Sequence, residues 1–211
     1  MKIVAALTDL DLVGEAEAQG ADMIEIRLDL IESNTADRLA ACREVTKLPI
    51  ICTLRSSHEG GRYFGSAEEW IGRLRPLLPY FDYVDVEQKF SVHAPEIRCA
   101  GKGIIASFHT PAMPPLFSLF VLERELRAYG DIVKIIATPR TDEDIIELIS
   151  FTHAVKMPIC TGVMGPQFRY ARAILALFGS ELVYCHLGTP TAEGQYSVSE
   201  FAGLMRMLGS R

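Results

Sequence analysis

Short runs of apolar residues recur along the chain, each followed by a longer stretch with helical spacing. The runs are KIVAAL (2–7), MIEIRL (23–28), PIICTL (49–54), YVDVE (83–87), GIIASFH (103–109), IVKIIA (132–137), PICTGV (158–163) and LVYCHL (182–187). They are rich in isoleucine and valine and apolar at nearly every position, the pattern of parallel strands buried on both faces. Between them, TADRLAACREVTK (35–47) opens on a threonine able to cap a helix, and SAEEWIGRLRPLLP (66–79) opens on a Ser-x-x-Glu capping box. TDEDIIELISFTHAV (141–155) repeats the box with Thr141 and Asp144 and carries acids in its first turn. PPLFSLFVLERELRAYG (114–130) starts on proline and stops at Gly130, and SVSEFAGLMRMLG (197–209) is the last helical stretch.

Strand starts fall 21, 26, 34, 20, 29, 26 and 24 residues apart, and 211 residues over eight strands is about 26 per unit. That is the length of one β/α repeat, and no interval leaves room for a second domain. The expectation is a compact (β/α)8 TIM barrel in one domain over residues 1–211, with an open doubly wound sheet as the alternative. Against the alternative, the first strand–helix turn, TDLDLVGEAEAQG, has no glycine-rich phosphate fingerprint. An eighth strand followed by a terminal helix also favours closure.

Composition narrows the partners. Hydrophobic residues make up 49 % and charged residues 23 %, and 21 basic against 27 acidic residues leave a net charge of −6. Such a chain is a poor ligand for nucleic acid or an anionic membrane, so an anionic substrate requires basic residues gathered at one site. No apolar run approaches the roughly 18 residues that span a bilayer. The start, MKIVAALTDLDLVGEAEAQG, lacks the apolar run and cleavage site of a secretory signal. Cys42, Cys52, Cys99, Cys160 and Cys185 are odd in number and widely spaced, with no CxxC, and three lie in strand-like runs. They read as reduced core thiols of a cytoplasmic protein. Metal-binding patterns of the HExxH, CxxC or DxDxDG type are missing, as is GxxxxGK[ST], so neither a metal nor a nucleoside triphosphate is indicated.

In such a barrel, chemistry gathers at the carboxyl ends of the strands. Polar residues collect there: Glu25, Arg27 and Asp29; Arg55, then Glu59 in SSHEGGR; Asp85 and Glu87; Ser107 and His109; Lys134; and His186 followed by GTPTAEGQ. Residues two apart in a strand share a face, which pairs Glu25 with Arg27, Asp85 with Glu87, and Ser107 with His109. Lys134 is the sharpest signal, because lysine is almost never buried without cause. It is either a strand-end lysine reaching solvent along its stem or a desolvated amine able to attack a carbonyl and form a Schiff base. His109, one strand earlier, is a structural histidine or, beside such a lysine, the base for a carbon acid, with Glu59 to orient it. His93 and His153 fall on helical segments and read as solvated or at helix ends, His186 as a possible core histidine, and His58 as a loop residue. Arg27, Arg55 and Arg172 could form a carboxylate site, although Arg27 is expected to pair with Glu25 or Asp29. Arg62, Arg73 and Arg169 read as surface charges.

Taken in order, EIRLD (25–29), TLRSSHEGG (53–61), YVDVE (83–87), SFHTP (107–111), VKIIATP (133–139), the segment from Met164-Gly165 to Arg172, and TAEGQ (191–195) resemble the type I 3-dehydroquinate dehydratases of the shikimate pathway. The resemblance covers essentially the whole chain. It implies a (β/α)8 lyase without metal or organic cofactor, removing water from 3-dehydroquinate to give 3-dehydroshikimate by syn elimination, and often a homodimer. It implies that Lys134 forms an imine with the C3 ketone. It makes His109 the base at C2 and then the acid to the C1 hydroxyl, Glu59 the group that orients His109, and Arg172 the holder of the substrate carboxylate. Glu25, Arg27, Arg55, Thr191 and Gln195 match positions that bind substrate hydroxyls or order the site. The loop with Gly188, Pro190 and Gly194 could close over substrate, and MPPLFSLFVL (113–122) could supply a dimer surface or pack on the barrel. Two other readings stand beside this one. A class I aldolase would share the lysine chemistry, and a non-catalytic barrel would give no covalent trapping at Lys134.

Overall fold

Each of the eight apolar runs becomes a strand: β1 Lys2–Leu7, β2 Met23–Arg27, β3 Ile50–Thr53, β4 Tyr83–Glu87, β5 Gly103–His109, β6 Ile132–Ala137, β7 Ile159–Val163 and β8 Leu182–His186. The structure is a computed structural model that describes residues 1–31 and 36–209. All ladders are parallel, and the order is β7-β6-β5-β4-β3-β2-β1-β8. A doubly wound sheet reverses its order at a switch point. Here the order runs without reversal until β1 pairs with both β2 and β8, so the sheet curls into a nearly closed (β/α)8 barrel.

The β7–β8 joint is the exception, because no ladder is formed between these two strands among the described residues. Side chains and a single main-chain bond close it instead. The Glu181 amide donates to Ile159 O at 2.6 Å, and the Cys160 thiol donates to Leu182 O at 3.3 Å. Ser180 Oγ accepts the Thr161 amide at 3.0 Å and lies 3.1 Å from the Leu182 carbonyl. The closed ladder expected from the sequence is therefore replaced at this seam by a stitched contact.

The helices follow their capping signals. α3 (Ala67–Leu74), α6 (Asp142–Ala154) and α8 (Val198–Met207) each start on a complete capping box, made by Ser66 with Glu69, Thr141 with Asp144, and Ser197 with Glu200. α1 (Ala16–Gln19), α2 (Ala36–Val45), α4 (Ala94–Cys99), α5 (Leu116–Arg127) and α7 (Ala171–Leu177) complete the set. The Thr35 cap expected for α2 lies outside the described residues. Gly130, expected to stop α5, stands where an added Cβ would come within 2.4 Å of Ala106 Cβ, so only glycine lets this turn meet β5. The stretch 66–79 is not one helix. It passes into a 3-10 helix over Arg75–Tyr80, where two prolines remove amide donors.

Strand alternation divides the core in two. Val4, Met23, Ile51, Ile105, Cys160 and Leu182 form an apolar floor inside the barrel. Their strand neighbours, such as Ile24, Ile104 and Val133, pack outward beneath the helices. His93 stands at a helix end, one of the two places expected for it, closing the 3-10 helix Gln88–His93 and capping α4; it is buried, and its ring lies 6.5 Å from that of Trp70. His153 is exposed as expected, whereas His186 is half-buried, with Nδ1 2.8 Å from Gly188 O, and does not belong to the core.

Candidate active site

Above the apolar floor, the inward positions turn polar. Lys134 follows Ile132 with the same parity, so its side chain enters the barrel, and the residue is only 4 % exposed. That removes the solvent-reaching alternative. Its Nζ donates to Asp85 Oδ2 at 3.0 Å and lies 3.9 Å from Glu25 Oε1. Glu25 accepts the Thr53 hydroxyl at 2.8 Å. The ladder pairs Ser107 with Lys134 and His109 with Ile136, placing His109 one step nearer the mouth on the adjacent strand.

His109 is held by Glu59. The same carboxylate oxygen is 2.8 Å from His109 Nδ1 and accepts the His109 amide at 3.0 Å. With Nδ1 occupied, Nε2 is the ring nitrogen left for chemistry. Burial, reinforced by the cations Arg55, Lys134 and Arg27, depresses the imidazole pKa well below its usual value, so the ring is neutral. Glu59 shifts the other way: burial pushes its carboxyl up to about 8 against the opposing pull of Arg55. Glu59 reaches His109 because the loop after β3 folds back at Gly61, where any Cβ would meet Arg55 O at 2.1 Å.

Arg55 gathers the carboxylates. Its Nη1 donates to Ser107 Oγ at 3.0 Å, Glu87 Oε1 at 3.1 Å and Glu59 Oε2 at 3.3 Å, and its Nη2 lies 2.8 Å from Asp85 Oδ1. Ser107 also donates to Asp85, and the Ser56 amide donates to Glu87 at 2.7 Å. Burial alone would raise the Asp85 pKa, yet Arg55 and Lys134 outweigh it and keep the carboxyl below its ordinary range. Arg27 pairs with Asp29 through two bonds of 2.9 and 2.8 Å, one of the two partners expected for it.

The facing wall is sparsely bonded. Arg172, on α7, has a buried Nε without a partner and only a long 3.4 Å contact from Nη2 to Glu193 O. Gln195 Oε1 accepts both the amide and the hydroxyl of Thr191, at 3.0 and 3.1 Å, while its Nε2 donates to Tyr184 O at 3.3 Å. All nine residues expected at the site line one cavity, together with Gly60, Ile136, Val163, Met164, Tyr184 and Ala192. Of these, Tyr184 was missed. Its signal was available, since it shares inward parity with Leu182 in β8. The sequence marks Asp85 and Ser107 as strand-end polar residues without giving them a role at the site. Among the described residues, no group of three or more His, Cys, Asp and Glu side chains could hold a metal ion, and no helix is long and apolar enough to cross a membrane.

The fold and this cavity define a (β/α)8-barrel enzyme for a small molecule. A family model described as type I 3-dehydroquinase matches residues 5–211. The 3-dehydroquinate dehydratase of Methanoregula boonei is 60% identical over 208 residues, covering 99% of this chain and 100% of that protein. Its counterpart in Methanospirillum hungatei is 40% identical over 208 residues, covering 99% and 81%. The crystal structure of the 3-dehydroquinate dehydratase from Aquifex aeolicus superposes with a TM-score of 0.83 at 27% identity, covering 98% of each chain. The chain belongs to the type I 3-dehydroquinase family, and the enzyme is a hydro-lyase.

Proposed function

We propose that this enzyme converts 3-dehydroquinate to 3-dehydroshikimate through an imine on Lys134. The observation that carries this reading is a buried lysine amine entering the same cavity as a His109–Glu59 pair on the adjoining strand. The Lys134 ammonium releases a proton, the free amine adds to the C3 ketone, and the carbinolamine takes that proton back as it loses one water, so that ammonium plus ketone becomes protonated imine plus water. That imine is an electron sink, so removing the C2 proton by neutral His109 gives an enamine rather than a free carbanion. The enamine pushes out the C1 hydroxyl, which takes the proton from His109 and departs as water. Hydrolysis of the conjugated imine then returns the lysine and the product.

Arg172 is assigned the substrate carboxylate, because its donor Nε is buried without a partner at the cavity. Fixing the ring at that point sets the C2 hydrogen against His109, a positioning effect. Glu25, Thr191 and Gln195 are assigned the substrate hydroxyls. Arg55 and Arg27, already bonded to carboxylates, order the wall behind them. The exposed Phe117, Phe120 and Val121 of α5 support a homodimer, which light scattering of the purified protein tests.

Borohydride reduction in the presence of 3-dehydroquinate tests the imine directly. A mass gain is expected on the peptide bearing Lys134. Lys134→Ala is expected to abolish trapping and to lower turnover by about 10⁴-fold or more. A substrate adduct on any other residue would overturn the assignment.

A further inference from the structure

Tyr184 lies on β8, four strands around the barrel from Asp85 on β4. Its ring centroid is 3.9 Å from Lys134 Nζ, and Asp85 Oδ2 is 3.0 Å from the same nitrogen. The amine is therefore gripped between a carboxylate and an aromatic face. The Tyr184 hydroxyl is buried and has no hydrogen-bond partner among the described residues. Burial, with Glu25 nearby, pushes the phenol well above its usual pKa and keeps it neutral. The hydroxyl makes no hydrogen bond among the described residues, and the contact with Nζ is made by the ring face. The ring is also held in place, because the Tyr184 carbonyl accepts Gln195 Nε2 and β8 pairs with β1 through Val4.

Building on the imine reading above, we infer that the Tyr184 ring is a positioning group for the reacting nitrogen, holding the positive charge that Nζ carries as an ammonium and retains as a protonated imine. Either cation is attracted to the negative face of an aromatic ring. A carboxylate in the same place would attract more strongly but would also compete for the imine proton. The ring holds the charge and has no such basicity. Asp85 at 3.0 Å, Glu25 at 3.9 Å and the ring flank Nζ, and His109 lines the same cavity as the nitrogen.

The test uses the full-length chain with Tyr184→Leu, Tyr184→Phe, and phenylalanines bearing one, two or three ring fluorines at position 184. Fluorination drains charge from the ring face with little change of shape. The measurements are kcat, KM, and the fraction of the Lys134 peptide trapped by borohydride with 3-dehydroquinate. Tyr184→Leu is expected to lower kcat and trapping by about tenfold, with KM moving by less than about threefold. Tyr184→Phe is expected to restore most of that loss, and the fluorinated series to decline stepwise from it. If Tyr184→Leu does not fold, the isosteric fluorinated series alone decides. A flat series overturns the inference, as does a Tyr184→Phe chain no better than the trifluoro chain. If the wild-type chain itself is not trapped, the imine reading fails and this inference with it. A trapped wild type with a flat series removes only the inference.

Discussion

On the β2–β5 side of the cavity, charged groups are locked together: Arg55 alone reaches four side chains, Asp85 takes donors from Arg55, Ser107 and Lys134, and Glu87 takes them from the adjacent Arg55 and Ser56. On the β6–β8 side, Arg172 Nε and the Tyr184 hydroxyl are buried with no hydrogen-bond partner among the described residues. Buried polar groups are ordinarily satisfied, so the contrast separates two tasks. The saturated wall is finished before substrate arrives and fixes Lys134 and His109 in place. The unsatisfied wall holds a cationic donor with room for an anion. The dense ion-pair network thus lies on one arc of the barrel and the open cationic donor on the other.

The contrast can be broken at four places. His109 stands where the two arcs meet, and His109→Ala is expected to allow slow imine formation but cut elimination by about 10²–10⁴-fold, read by the absorbance of the conjugated enone. Near-normal turnover in that variant would sink its role as base. Arg55→Met leaves three carboxylates facing one another without their guanidinium. A loss of about 3–5 kcal/mol in denaturant unfolding is expected. Arg172→Met, by contrast, is expected to shift stability by less than about 1 kcal/mol while lowering kcat/KM by about 10–100-fold, chiefly through KM. Arg172→Lys should recover little of it, because an ammonium lacks the planar fork. Equal destabilisation by the two methionine variants would erase the distinction between the walls.

The fourth and smallest effect is on pH. Glu59 has a folded pKa of about 8, above its unfolded value, so its contribution to stability is complete in acid and is lost as pH rises through 8. His109, with a depressed pKa, contributes stability above its unfolded value that is lost as pH falls, so the two are separable. Between about pH 6.5 and 8, where the lowered His109 no longer titrates in either state, the urea midpoint should fall and then level off, and Glu59→Gln should flatten that slope. Over the acid range, kcat/KM should rise with pH and level off below the ordinary imidazole pKa of about 6.5.

The strands were legible because barrel strands are buried on both faces and their apolar runs stand out. β1, β4, β5 and β6 begin and end where the sequence pattern does. The short 3-10 helices at Leu10–Glu15 and Gln88–His93 were not, since six residues are too few to show a period. The burial of His93 followed from Trp70, a partner 23 positions away that no local pattern reveals. Lys134, His109 and Arg172 could be singled out because each is unusual where it stands. The fourfold role of Arg55 could not, because its partners come from β4, β5 and its own loop and meet only when the sheet curls.

The stitched joint between β7 and β8 has a consequence for how the barrel yields. Each of these strands lends its main chain to a ladder on one flank only, so this line is the wall's weakest under thermal motion. The segment bearing Arg172 hangs from one lip of it and the turn bearing Thr191 and Gln195 from the other. Parting the lips by a small amount would widen the doorway while leaving the lysine and its carboxylate, anchored deep in β6 and β4, undisturbed.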